Sequence, residues 1–131
     1  MSQDNIELMN RALDAFDTQD VEAFVSCMDP EIAFEPRLAG VEGGYRGHDG
    51  IRQFIADGSE VIELRGTDVD EVRDLGDQVL ALGRFHVRGR ESGAEDTTPF
   101  ALVGVVQDGR FVKLKDYGNH RGALEAAGLS D

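Results

Sequence analysis

The dipeptide Asp108-Gly109, set between two β-rich runs, narrows the choice of fold more than any other feature. A two-residue type I′ turn needs positive φ at both central positions, which Asp and Gly tolerate. Residues 98–107 and 110–118 are therefore predicted to close as a tight antiparallel hairpin. Two further breaks, Leu75-Gly76-Asp77 and Ser92-Gly93-Ala94, bound runs at 65–74 and 78–90. The second half of the chain thus reads as four consecutive antiparallel strands. The run at 78–90 exceeds the usual strand length of about 5–6 residues and is expected to bend.

The first half has a different period. Ile6, Met9, Leu13 and Phe16 recur at helical spacing, with Leu8 and Ala12 beside them, and Ser2 or Asp4 is placed to cap the start. Asp20 is a candidate N-cap for a second, shorter helix that carries Val21, Phe24, Val25 and Met28 and stops at Asp29-Pro30. Residues 31–38 alternate apolar with charged and read as a strand interrupted at Pro36. A glycine-rich loop, Ala39 to Gly50, feeds a third helical pattern at Ile51, Phe54 and Ile55, which Gly58 weakens. Arg121 to Ala127, followed by Gly128, reads as a short closing helix with a glycine C-cap. Helices first and strands last give one α+β domain over residues 1–131, with helices covering one face of a curved sheet that encloses a cavity.

Charge excludes several functions. Thirteen Lys and Arg face 26 Asp and Glu, a net −13, which repels nucleic acid and anionic lipid surfaces. The opening MSQDNIELMN holds no cationic segment followed by an apolar run, and no apolar stretch nears the roughly 20 residues of a membrane span. A soluble, cytoplasmic protein is expected. His48, His86 and His120 fit no short metal spacing, so neither a metal nor another cofactor is expected. Cys27, in an apolar pattern, reads as a buried small hydrophobe and not as a nucleophile.

The element order, together with Tyr45-Arg46-Gly47-His48-Asp49-Gly50-Ile51-Arg52-Gln53-Phe54, Gly89-Arg90-Glu91-Ser92-Gly93 and Ala123-Leu124-Glu125-Ala126-Ala127-Gly128-Leu129, resembles the nuclear-transport-factor-2-like superfamily. The likeness is strongest to its SnoaL-like polyketide cyclase branch and covers nearly the whole chain. It implies a cone-shaped barrel with a mainly antiparallel sheet wrapped around three N-terminal helices, plus a short C-terminal helix. It also implies a homodimer through the sheet and an apolar pocket inside the cone, with Phe16, Phe34, Phe54, Phe85 and Leu114 as ligand-lining residues. The superfamily hosts cyclases, isomerases, hydrolases and non-enzymatic binders, and fold alone does not choose among them.

Period-two alternation puts Val112, Leu114 and Asp116 on one side and Lys113, Lys115 and Tyr117 on the other. An acid on an apolar strand face can remove a proton beside a carbonyl and return it elsewhere, and desolvation would raise its pKa. Asp116 resembles in position the acid/base aspartate of the cyclase branch; the alternative is that it pairs with an arginine or caps a turn near Gly118-Asn119. His120 is placed to donate a hydrogen bond or orient the acid, or else serves structure at a strand-to-helix junction. Tyr45, an aromatic ring with a hydroxyl, is a further pocket candidate or a loop anchor. Glu35 and Arg37 share a phase at the rim, either orienting a ligand or forming an exposed ion pair. Arg84, His86 and Arg88 share one strand face and Ala81, Gly83, Phe85 and Val87 the other; the apolar set is expected inside, the alternative being a bulge near Gly83 that brings Arg84 or His86 into the pocket. The branch places a tyrosine on the first helix in some members, where this chain has only Phe16. Two functions follow: a cofactor-independent enzyme acting on a small apolar carbonyl compound, or a domain that binds such a molecule without chemistry. A role resting on the dimer surface alone would require a self-filled cone.

Overall fold

The computed structural model describes residues 2–36 and 44–128. Arg37, the end of the strand expected to reach residue 38, the start of the glycine-rich loop and Leu129 lie outside the described residues. Helix α1 (Ser2–Asp17) buries Leu8, Met9, Ala12, Leu13 and Ala15. It already runs from Ser2, so Asp4 sits in its first turn and not at its cap. Its end is a Schellman turn: the Gln19 N–H donates to the Phe16 carbonyl and the Asp20 N–H to that of Ala15, with Gln19 at φ +58°. Asp20 then caps α2 (Val21–Ser26), accepting from the Ala23 N–H at 3.2 Å.

Helix α2 does not continue to Asp29-Pro30. It stops at Ser26, and Met28 opens strand β1 (Met28–Glu35) fully buried. Pro30 is tolerated there because it falls where the register with the neighbouring strand steps between Met28 and Ala33. Strand β2 (Tyr45–Arg46) and helix α3 (Gly47–Val61) replace much of the expected loop. Gly47, at φ +73°, lets the chain turn straight from strand into helix. The His48 ring Nε2 lies 2.9 Å from the Met28 carbonyl and ties the start of α3 to β1.

Strands β3 (Ile62–Asp74), β4 (Gln78–Gly89), β5 (Glu95–Gln107) and β6 (Arg110–Asp116) form the antiparallel series, and the sheet order is β2-β1-β6-β5-β4-β3. Among the described residues only the β1–β6 pair is parallel. Asp108 and Gly109 sit at φ +52° and +76°, as the hairpin requires. Register steps in β3 at Leu64/Gly66 and Val69/Glu71 bend that strand. A step in β5–β6 at Val105/Val106 changes the phase of β6: Phe111, not Val112, is fully buried in the main core with Leu114. The main core gathers Val79, Ala81 and Phe85 of β4 with α1, α2 and α3. Leu80 and Leu82 of the same strand pack on the other face with Ala123 and Leu124 of α4 (His120–Ala126). The closing helix therefore covers the face opposite the first three, because β4 is apolar in both phases from Val79 to Leu82.

Gly104 leaves room for the Phe111 ring, and a Cβ there would collide with ring carbons. Gly104→Ala is expected to lower stability by about 1–3 kcal/mol through overpacking. Gly58, inside α3 with open space around its Cβ position, gives the opposite sign: Gly58→Ala gains about 0.5–1 kcal/mol. Urea unfolding of both variants checks the pair, with the slope unchanged.

Candidate functional site

Two adjoining spaces lie between the helices and the sheet. The inner one, about 40 Å³, is a crevice among Met9, Ala12 and Leu13 of α1 and Phe34, Phe85 and Leu114 of the sheet, with Asp116 at its wall. The outer one, about 290 Å³, opens between the end of α1, β2, the second half of α3 and the start of β3. Phe16 and Phe54 line both. Their rings stack at 6.1 Å between centroids; Phe16 also meets Phe85 edge-on at 5.3 Å, and Phe54 meets Phe34 at 4.8 Å. A single aromatic partition thus separates a ligand-sized cavity from a buried acid.

Asp116 is the one buried charged side chain among the described residues, 7% exposed. It shares the phase of Leu114 and pairs across the ladder with Leu102. Its Oδ1 accepts from the Ala101 N–H at 3.0 Å and the Gly118 N–H at 2.8 Å. Gly118, at φ +74°, turns the chain directly after β6. These donors supply what a buried carboxylate oxygen needs and fix the direction of the group.

The outer cavity has its own polar end. The Tyr45 hydroxyl donates to Asp57 Oδ2 at 3.3 Å, and Gln53 Nε2 donates to Asp57 Oδ1 at 2.6 Å. Burial first, then the Asp57 charge and hydrogen bond, push the Tyr45 phenol above its ordinary value, so it stays protonated at neutral pH. Ser59 and Gln19 complete the polar lining, against Ile55, Ile62 and Leu64.

The structure therefore brings Asp116, Leu114, Phe34 and Phe85 to the inner crevice, Tyr45 to the outer cavity, and Phe16 and Phe54 to both. His120 opens α4, is exposed, and lines neither space. Glu35 pairs with Lys115 across 3.8 Å at the surface. Arg84 and His86 face outward, bound to Asp70 and Asp68, while Phe85 faces the core. Cys27 is 1% exposed, and burial pushes its thiol pKa up, as for a structural thiol. Sequence reasoning missed Asp57, Ser59 and Gln19. Asp57 was within reach, since Phe54, Asp57 and Val61 continue one stripe of α3 at spacings of three and four. Among the described residues no set of His, Cys, Asp and Glu gathers that could hold a metal ion. No helix there is long and apolar enough to cross a membrane.

Comparison with known proteins agrees with this architecture. A nuclear-transport-factor-2-like protein of unknown function from Burkholderia pseudomallei superposes with a TM-score of 0.80 at 24% identity, over 96% of each chain. TerC, co-crystallised with polyporic acid, gives 0.77 at 26% identity over 88% of this chain and 92% of its own. A protein of ketosteroid-isomerase-like fold from Catenulispora acidiphila, in complex with trimethylamine, gives 0.76 at 15% identity over 95% and 94%. No curated protein matches the chain. The family model for the SnoaL-like domain matches residues 9–114, nearly the whole span from α1 through most of β6. With three helices held against a curved mixed sheet and that span matched, the chain belongs to the SnoaL-like domain family.

Proposed function

We propose that the chain takes a small, largely apolar carbonyl compound into the outer cavity and that Asp116 moves a proton on it, without a cofactor. The observation that carries this reading is the position of Asp116, a buried carboxylate behind the same two rings that wall the ligand-sized cavity. Two backbone N–H groups hold its Oδ1 and fix the carboxylate at the wall of the inner crevice, where a carbonyl compound reaching past the rings would meet it. Swinging the half-buried Phe16 ring aside would join the two spaces and admit the reacting carbon. Tyr45 would supply the hydrogen-bond donor on the outer side by turning its hydroxyl from Asp57 to the ligand carbonyl. The small molecules held by two structural neighbours support a ligand role.

A second reading, binding without chemistry, draws on the size of the inner crevice. About 40 Å³ beside Asp116 holds little more than a water. The homodimer expected through the sheet would use the part of the outer face that carries Arg84, His86, Asp68 and Asp70. Light scattering of the wild type against Arg84→Glu tests it, with the variant expected to shift toward monomer.

Deuterium exchange beside the carbonyl of small apolar ketones, followed by NMR in heavy water, separates the two functional readings. Catalysis predicts exchange by the wild type and a loss of about a hundredfold or more in kcat for Asp116→Asn, with KM little changed. A ketone that binds without exchanging, or exchange that survives Asp116→Asn, overturns the catalytic role.

A further inference from the structure

We infer that the outer cavity recognises a small organic ammonium ion, with Asp57 as its counter-charge and the rings of Tyr45, Phe16 and Phe54 as its wall. This rests on the reading that the outer cavity is the ligand space, and it specifies which chemistry that space selects.

The first observation is the state of Asp57. Among the described residues no basic side chain pairs with Asp57, a property it shares with many surface acids, but Asp57 stands on the wall of a cavity. Its oxygens accept only from neutral donors, the Tyr45 hydroxyl and the Gln53 amide. Each oxygen keeps a further lone pair for an N–H group. The carboxylate is half-buried at the edge of a cavity to whose lining the described residues contribute no lysine, arginine or histidine. Such a charge repels anions and rewards a cation that reaches it.

The second observation is what surrounds it. Three aromatic rings line the same cavity, with Tyr45 edge-on to Phe54 at 5.6 Å between centroids. Ring faces attract an ammonium group, and the apolar remainder, Ile55, Ile62 and Leu64, accepts a carbon body. A bare inorganic cation would find one carboxylate and no further charged ligand in this lining, too few to replace its hydration. Because the phenol of Tyr45 stays protonated and donates to Asp57, the site carries a single negative charge with the phenol oxygen beside it as a further acceptor for an N–H group.

Gln19, at φ +58° in the α1 Schellman turn, is among the lining residues, and its side-chain amide donates to the Phe16 carbonyl at 2.6 Å, which closes that end of the cavity. The net charge of −13 draws cations toward the whole molecule.

Titration calorimetry with benzylammonium and with benzyl alcohol, near neutral pH and low salt, tests the assignment, and amide chemical-shift mapping reports where each probe sits. Benzylammonium is expected to bind about tenfold or more tightly than the alcohol, shifting Tyr45, Gly58, Ser59 and Leu64. Asp57→Asn, checked for an unchanged amide spectrum elsewhere, should abolish that preference while leaving alcohol binding as it was. Equal affinity of the two probes in the wild type, or a preference that survives Asp57→Asn, overturns the ammonium assignment and leaves the outer cavity as the ligand space. Shifts confined to Leu114 and Asp116, or no binding by either probe, overturn the choice of cavity as well.

Discussion

The contact between Phe16 and Phe54 is the joint on which this fold turns. Phe16 sits at the end of α1 and Phe54 in the middle of α3, and both reach the sheet through Phe85 and Phe34. Through these rings the two helices touch each other and meet β4 and β1, beside the aliphatic residues that each helix buries on its own. The same rings divide the interior. Filling the middle of the concave face with aromatic side chains leaves one small space at the sheet and one larger space toward α3 and β3. Core packing and site geometry are therefore a single problem in this chain, solved by the same side chains.

Two carboxylates face the divided interior under opposite conditions. Asp116 is enclosed and held by backbone donors at the end of β6, so its direction is fixed by the ladder and by the turn at Gly118. Asp57 stands on a helix, half-exposed, and is held by side chains with freedom of their own. Rigid placement suits a group that must meet a reacting atom, and adaptable placement suits one that selects a ligand by charge.

Much of the fold was legible because local chemistry and tertiary need agree. Asp108-Gly109 gave a hairpin that nothing else in the structure contradicts, and Asp20 caps the helix it precedes. The phase argument that carried Leu114 and Asp116 inward holds, while Val112 fails it, because a bulge at Val105/Val106 is a property of two strands together and leaves no trace in one. The boundary at Met28 was missed since an apolar residue after a short helical stripe fits either element until its neighbours are known. The run from Val79 to Leu82 carried a readable signal for a strand buried on both faces, and with it the side that α4 covers. Asp57, although it continues the stripe of Phe54, was passed over for another reason: a charge on an amphipathic helix usually marks its wet face.

Strand β3 is the long one of the two edge strands of the sheet, thirteen residues against two in β2, with Val69 exposed. A straight edge of that length would be a template for a neighbouring chain. Its two register steps break the free ladder, however, and the step at Val69/Glu71 lies beside an Asp70 that reaches Arg84. With Asp68, Glu71 and Arg73 on the same strand, the edge offers a kinked and charged margin where strand-by-strand growth into filaments finds no regular place to start. The cost of a long exposed strand is thus met by geometry as well as by charge.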